Sequence, residues 1–87
     1  MQPTHATSDM YWAEDRLGPG RIPGAYAWRS ILESGGRLAL GSDFPVEQVD
    51  PLLGFYAAVT RQDAASWPEG GWYPEQALTR EEALRGF

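Results

Sequence analysis

The residues best suited to chemistry lie in the stretch LALGSDFPVE, residues 38–47, where an apolar run ends at Gly41 and Asp43 follows two positions later. Barrels and open α/β sheets bind their ligands beyond the carboxyl ends of their strands, which is where this carboxylate would lie. Asp43 could there bind a divalent metal, accept a proton from metal-bound water or simply cap a turn. On spacing alone, the turn is the commoner role.

The second candidate is His5, the only histidine, in the stretch QPTH. It also follows an extended stretch, because Pro3 restrains the residue before it to an extended conformation. One histidine and one aspartate do not make a zinc site, which usually takes three or four protein ligands. A lone histidine is more often a structural group or a support for a metal ligand.

Aromatic residues near these two side chains are candidates for a substrate pocket. Phe44 adjoins Asp43 at the exit of the expected strand, and Trp12 lies in the segment after His5. Further aromatics in the Gly- and Pro-rich residues 64–76 could form a pocket wall. We expect that segment to pack away from the site instead, because it follows a helix.

A helix and a strand come before the candidate aspartate. Residues 24–34 carry apolar side chains, among them Trp28, at three- and four-residue spacing, which predicts a helix. Gly35 and Gly36 would end it in the left-handed conformation. The apolar run that follows is too short for a helix, so we expect a buried strand.

Two later helices have clear start signals. Asp50 followed by Pro51 predicts an N-cap and the first residue of a helix. Its expected buried stripe consists of Leu52, Phe55, Tyr56 and Val59. Thr79 and Glu82 have the spacing of a capping box, which predicts a final helix.

Together these elements predict an α/β fold with one or two short parallel strands, at about residues 1–4 and 37–42, and flanking helices. A lone strand leaves the backbone groups on its edges without partners. We therefore expect residues 1–87 to be a single partial domain, the last strands and helices of a larger fold, and not a complete domain.

Composition narrows the functional classes. The net charge is −5 and all seven basic residues are arginines. An acidic chain without a basic cluster argues against binding to nucleic acid or to an anionic membrane. The absence of cysteine excludes disulfides and cysteine-based zinc sites. No stretch has the length of a membrane span and the N-terminus lacks a signal pattern, so we expect a cytoplasmic protein.

Three stretches resemble the C-terminal part of amidohydrolase family 3, namely QPTHATSDMYWAEDRLGP, GAYAWRSILESGGRLALGSDFPVE and PLLGFYAAVTRQDAASWPEGGWYPEQALTREEAL. This family is the branch of the metal-dependent amidohydrolase superfamily that includes N-substituted formamide deformylases. The similarity covers essentially all 87 residues. Its most specific part is GSDFPVE followed by PLLGFYAAVTRQD.

The resemblance implies a (β/α)8 barrel that hydrolyses amide-type C–N bonds at one or two divalent metals. GRLALGSDFPV is similar to the eighth barrel strand, and the family's metal-associated general acid/base falls on Asp43. MQPTH is similar to the end of the seventh strand. This implies that His5 lies at the rim of the same pocket, where it contacts substrate or supports the metal ligands.

The chain departs from the family where the other metal ligands belong. The first-strand His-x-His pair, the metal-bridging residue and the histidines after strands five and six are absent, since the chain has one histidine and no lysine. The chain thus resembles the last quarter of an enzyme. We expect a divalent metal, zinc first, in the full-length enzyme. We expect the isolated chain to bind none and to be inactive.

The partners implied by this interpretation are a small-molecule amide-type substrate and the missing N-terminal part of the barrel. The alternative is a non-catalytic α/β fragment or interaction module that folds by docking onto a partner. Its interface would be the exposed apolar strand edges and the aromatic stripes.

Overall fold

The structure, a computed structural model, describes residues 1–87 and is built from five α-helices. They are α1 (Pro3–Asp9), α2 (Ala13–Leu17), α3 (Trp28–Glu33), α4 (Pro51–Thr60) and α5 (Arg80–Gly86). Two single-turn 3-10 helices lie at Ile22–Gly24 and Pro74–Gln76. None of the five helices has the length and apolar character needed to cross a bilayer.

The predicted α/β fold with parallel strands is wrong, because no residue forms a β-strand. Within residues 1–4, α1 already begins at Pro3, since the first helical position needs no N–H. Residues 37–42 are extended, and the N–H of Gly41 donates to the carbonyl of Met1 over 3.0 Å. The amino group of Met1 in turn donates to Ala39. Helix α1 starts too soon after this contact for a ladder to continue, so no sheet forms.

The start signals of α4 and α5 are confirmed. Oδ1 of Asp50 accepts a hydrogen bond of 2.9 Å from the N–H of Leu52, and Pro51 is the first residue of α4. Thr79 and Glu82 form both hydrogen bonds of a capping box at the start of α5. These caps use only neighbouring residues to satisfy the free N–H groups of the first turn.

The predicted buried stripe of α4 is confirmed only in part, because Phe55 and Val59 pack partly buried against the core. Leu52 is 72% exposed, whereas Gly54, Ala57 and Ala58 are buried. Small residues on this face let the backbone of α4 approach α1 and α5 closely. A Cβ on Gly54 would lie 2.8 Å from the ring of Phe87, so this position has no room for a larger side chain. The fully buried part of α4 therefore consists of its small residues, with Phe55 and Val59 packed beside them.

Trp28 lies at the centre of the core and is 1% exposed. It opens α3, which is shorter than the predicted helix at residues 24–34. Ala25 and Leu32 pack against the core as partly buried residues. The spacing therefore predicted the correct buried face, but the helix begins four residues later than expected.

The guanidinium of Arg61 is the most deeply buried charge in the chain, with the residue 1% exposed. It lies 4.3 Å from the ring centroid of Trp28 and 5.2 Å from that of Trp72. Its Nε donates to the carbonyl of Trp72 over 2.9 Å and its Nη1 to the carbonyl of Tyr26 over 2.8 Å. Burial lowers the pKa of Arg61 to about 10, although Glu75 opposes that shift.

The loop after α4 is held against Arg61 by its own backbone. The N–H of Trp72 donates to the carbonyl of Arg61 over 2.8 Å. Just before it, Gly71 has a φ of +91°, and a Cβ there would lie 2.3 Å from the carbonyl oxygen of Thr60. Only glycine fits that approach. Trp72 is thereby fixed in the core, and its Nε1 donates to Glu14 over 3.0 Å.

An ion pair joins α3 to α5. Nη1 of Arg29 donates to Oε2 of Glu82 over 2.8 Å, and Nη2 contacts both Oε1 of Glu82 and the carbonyl of Ala77. The pKa of Glu82 is lowered to about 2, first by its hydrogen bond with Arg29 and then by the backbone N–H of Thr79. The ionised form of Glu82 is therefore the one that the fold stabilises.

Replacing Arg61 by methionine is expected to lower the free energy of unfolding by about 2 kcal/mol, because two carbonyl oxygens lose charged donors. Methionine, like arginine, has an unbranched side chain, and it would adopt the same backbone conformation at this position. Urea denaturation followed by tryptophan fluorescence measures the change. Arg80→Met, at an exposed arginine, is the control. Equal stability of the two variants would contradict the role assigned to Arg61.

The stability that Glu82 provides should be lost in acid. Its pKa in the folded state, about 2, is below the ordinary value of 4.5. Its contribution is therefore complete above pH 4.5 and disappears as the pH falls through about 2. Thermal melts of the wild type and Glu82→Gln should differ most at about pH 6 and converge toward about pH 2. Glu81→Gln, at the neighbouring exposed carboxylate, should show no such convergence.

Candidate functional site

His5 and Asp43, the two side chains singled out by the sequence, meet in the structure. Nε2 of His5 lies 3.3 Å from Oδ2 of Asp43. His5 is in α1, whereas Asp43 follows the extended residues 37–42. The hydrogen bond between Met1, just before α1, and Gly41, just before the aspartate, aligns the two segments. The backbone contacts of Met1 with Ala39 and Gly41 thus bring together groups that are far apart in the sequence.

Asp43 leaves its carboxylate free. The residue has a φ of +57°, a left-handed conformation that aspartate tolerates better than most residues. Its own carbonyl, and not its side chain, closes the turn by accepting the N–H of Val46 over 2.9 Å. The side chain is 44% exposed and its polar neighbour is His5. The carboxylate is therefore available to bind a cation or to exchange a proton.

His5 presents a buried nitrogen that lacks a hydrogen-bond partner. The side chain is 30% exposed, yet Nε2 itself is shielded from solvent. Its contact with Asp43 has the distance of an ion pair but not the alignment of a hydrogen bond. Buried polar atoms in proteins are nearly always paired. Nε2 of His5 is therefore an unpaired polar atom that faces the carboxylate of Asp43.

The residues of this chain do not complete a metal site. No group of three or more His, Cys, Asp or Glu side chains is close enough to hold an ion. A catalytic zinc takes three protein ligands and a water. His5 and Asp43 thus fit a metal as part of a ligand set, and the remaining ligands have no counterpart among residues 1–87.

The aromatic candidates are both at the surface. Phe44 is 65% exposed and follows Asp43 directly, so it lies at the edge of the pair. Trp12 is 47% exposed and lies beyond the end of α1, where the guanidinium of Arg16 is 5.6 Å from its ring centroid. The structure places Phe44 next to the pair and gives Trp12 no contact that ties it to the pair.

A groove between α1 and α4 was not foreseen from the sequence. It has a volume of about 260 Å³ and is lined by Thr4, Thr7, Ser8, Tyr11, Glu47, Gln48, Leu53, Tyr56, Gln62, Asp63 and Ala64. Thr4 adjoins His5, and the N–H of Glu47 donates to the carbonyl of Asp43 over 3.4 Å. The groove thus starts beside the pair. No local pattern could have revealed it, because its walls come from three separate segments.

A larger cavity of about 510 Å³ lies elsewhere, between α3, α5 and the extended residues 37–42. Glu82 and Arg85 line it, but both already form ion pairs, with Arg29 and Glu81 respectively. Neither His5 nor Asp43 reaches it. The larger cavity is therefore not the one beside the candidate site. The smaller groove is the one that lies next to His5 and Asp43.

The free carboxylate of Asp43 should be dispensable for folding. Asp43→Asn keeps the shape and tolerates the same φ, so the free energy of unfolding should change by less than about 0.5 kcal/mol. Asp50→Ala, which removes the N-cap of α4, should cost about 1 kcal/mol. Urea denaturation of both variants measures this contrast. A larger loss for Asp43→Asn than for Asp50→Ala would show that the carboxylate serves the fold.

Comparison with known proteins gives a consistent result. Residues 1–86 match the model of a family described as the amidohydrolase family. "Putative amidohydrolase YtcJ" of Bacillus subtilis (strain 168) is 38% identical over 85 residues, which cover 98% of this chain and 16% of that protein. "Protein LONG AFTER FAR-RED 3" of Arabidopsis thaliana is 33% identical over 85 residues, or 97% of this chain and 14% of that protein. No solved structure matches.

The similarity reaches nearly every residue of the chain but only a small part of its relatives. The chain spans about one sixth of the length of the Bacillus protein and less of the Arabidopsis protein. The resemblance found in the sequence is thereby confirmed. This chain belongs to the amidohydrolase family.

Proposed function

We propose that residues 1–87 are the C-terminal part of a metal-dependent hydrolase that cleaves the C–N bond of amide-type substrates. The observation that carries this proposal is the pair formed by His5 and Asp43, 3.3 Å apart, in a chain of the amidohydrolase family. The carboxylate is free of local hydrogen bonds, and the facing Nε2 is buried without a partner. This combination suits proton transfer beside a cation.

In the proposed mechanism, Asp43 is the general acid/base. A divalent cation, with zinc as our first choice, would supply Lewis acidity when bound. Asp43 accepts the proton that the attacking water loses, and returns it to the leaving nitrogen as the C–N bond breaks. His5 faces the same carboxylate and restricts its orientation. Phe44, exposed at the edge of the pair, contacts the apolar part of the substrate, and Trp12 is a more distant candidate for that role.

The rest of the enzyme is needed for this chemistry. Among the residues of this chain, Asp43 is the candidate metal ligand and His5 supports it, whereas a catalytic zinc takes three protein ligands. We propose that the other ligands come from the N-terminal part of the full-length enzyme, since the relatives are about six times longer than the chain. The isolated 87 residues then have a base without an electrophile and are expected to be inactive.

Asp43→Asn in the full-length enzyme tests the mechanism. The substitution removes the group that moves the proton, so kcat should fall by about 10²–10⁴-fold while KM changes little. The assay is the release of amine from N-substituted formamides and related amides by the metal-loaded enzyme. Asp15→Asn, at an exposed aspartate on α2, is the matched control and should retain the wild-type rate. Wild-type turnover by Asp43→Asn would refute the proposed role.

A further inference from the structure

The groove between α1 and α4 contains negative charge without any positive charge. Among its eleven lining residues are Glu47 and Asp63, and none is arginine, lysine or histidine. All other polar residues that line it are neutral. Hydrogen bonding from the hydroxyl of Tyr11 lowers the pKa of Asp63, which is therefore ionised at neutral pH. A ligand that enters the groove meets a negative potential, which favours cations.

The hydroxyl protons of Ser8 and Tyr11 are already used within the protein. The hydroxyl of Ser8 donates to Oε2 of Glu47 over 3.1 Å, and that of Tyr11 donates to Oδ2 of Asp63. What these hydroxyls leave for a ligand is the lone pairs of their oxygens, together with the free Oε1 of Glu47. The groove also contains the side-chain amide of Gln48, but the acceptors beside its two carboxylates favour a ligand that donates hydrogen bonds.

One wall of the groove has an unmet hydrogen-bonding need. Thr4, the residue before His5, lines this space, and its Oγ1 is buried without a hydrogen-bond partner. Such an atom is costly unless a ligand or a water pairs with it. Leu53 and the rings of Tyr11 and Tyr56 supply apolar and aromatic surface along the same space. The groove thus combines acceptors with a surface for a short alkyl chain.

We propose that this groove binds a primary alkylammonium ion and that, in the enzyme, it holds a cationic ammonium group of the substrate, separate from the neutral amide nitrogen at which the C–N bond breaks. A primary ammonium has three donors, which suits the carboxylate of Glu47 and the hydroxyl oxygens of Ser8 and Tyr11. Aromatic faces also attract ammonium ions. A volume of about 260 Å³ accommodates a small amine. Cation binding follows from the groove alone, whereas its assignment to the substrate rests on the proposed function.

The test uses the 87-residue chain in metal-free buffer with n-butylammonium as the probe. Titration followed by ¹H–¹⁵N NMR should give saturable shifts at the amides of Thr4, Ser8, Glu47 and Asp63. The neutral n-butanol should bind about tenfold more weakly, because it lacks charge-assisted hydrogen bonds. The anion butyrate should not shift these signals. Added salt should weaken the binding of n-butylammonium.

Glu47→Gln removes the charge at one end of the groove and keeps the shape of the side chain. It should weaken n-butylammonium about fivefold or more. The matched control is Glu69→Gln, which removes the same charge from an exposed loop residue outside the groove and should bind as the wild type does. The proposal is overturned by absent saturation, by equal binding of n-butanol, or by equal weakening in the two variants.

Binding and hydrolysis are separate readouts. The titration needs no metal and no turnover, so a groove that binds n-butylammonium stands even if Asp43→Asn in the full-length enzyme keeps its activity. In that event only the assignment to the substrate falls. Conversely, the activity could depend on Asp43 while the groove does not bind n-butylammonium. That result would support the proposed function and contradict the inference about the groove.

Discussion

The burial of Arg61 between Trp28 and Trp72 is the constraint on which the rest of the structure depends. A guanidinium in the core has lost its water and has no carboxylate partner there. Two backbone carbonyls and two indole faces compensate for that loss. The carbonyls belong to Tyr26, before α3, and to Trp72, in the loop after α4. The side chain of Arg61 therefore fixes these two segments relative to the end of α4. A chain with few fully buried residues thus obtains a defined core.

That core determines where the candidate site lies. With α4 held at its carboxyl end by Arg61, its face of small residues receives α1, which carries His5. The extended segment before Asp43 packs its leucines on the same core and contacts Met1 and Gly86 through its backbone. The pair is therefore positioned by packing beneath it, while its own polar atoms remain uncommitted. Such a separation between scaffold and reactive groups is typical of functional sites. The scaffold provides the rigidity, and the polar atoms of the reactive side chains stay free to bind a ligand.

The sequence predicted correctly the features that depend on neighbouring residues. Its predictions were wrong or incomplete for features that depend on contacts between distant segments. The caps at Asp50 and Thr79 were predicted correctly, because their hydrogen bonds join residues within one turn. The parallel strands were wrong, since a strand exists only with a partner, and α1 takes over the residues that would have paired with the extended segment. The stripe on α4 was only partly right: Phe55 and Val59 pack against the core, but the spacing of large apolar residues did not reveal that small residues occupy the most buried positions. Asp43 and His5 were singled out by residue type and position and received their expected roles from the family resemblance, whereas no local signal revealed Arg61 as the centre of the core or the groove beside the pair.

The contact between Gly71 and the carbonyl of Thr60 has a consequence for reading sequence variation in this family. A half-exposed glycine in a surface loop would ordinarily be taken as replaceable. Here any side chain would push the loop off the end of α4 and withdraw the tryptophan that shields the buried guanidinium. Intolerance to substitution at this position would then look like the signature of catalysis, although the residue touches nothing reactive. Maps of mutational sensitivity across such enzymes need to separate backbone proximity from chemistry before any position is assigned to an active site.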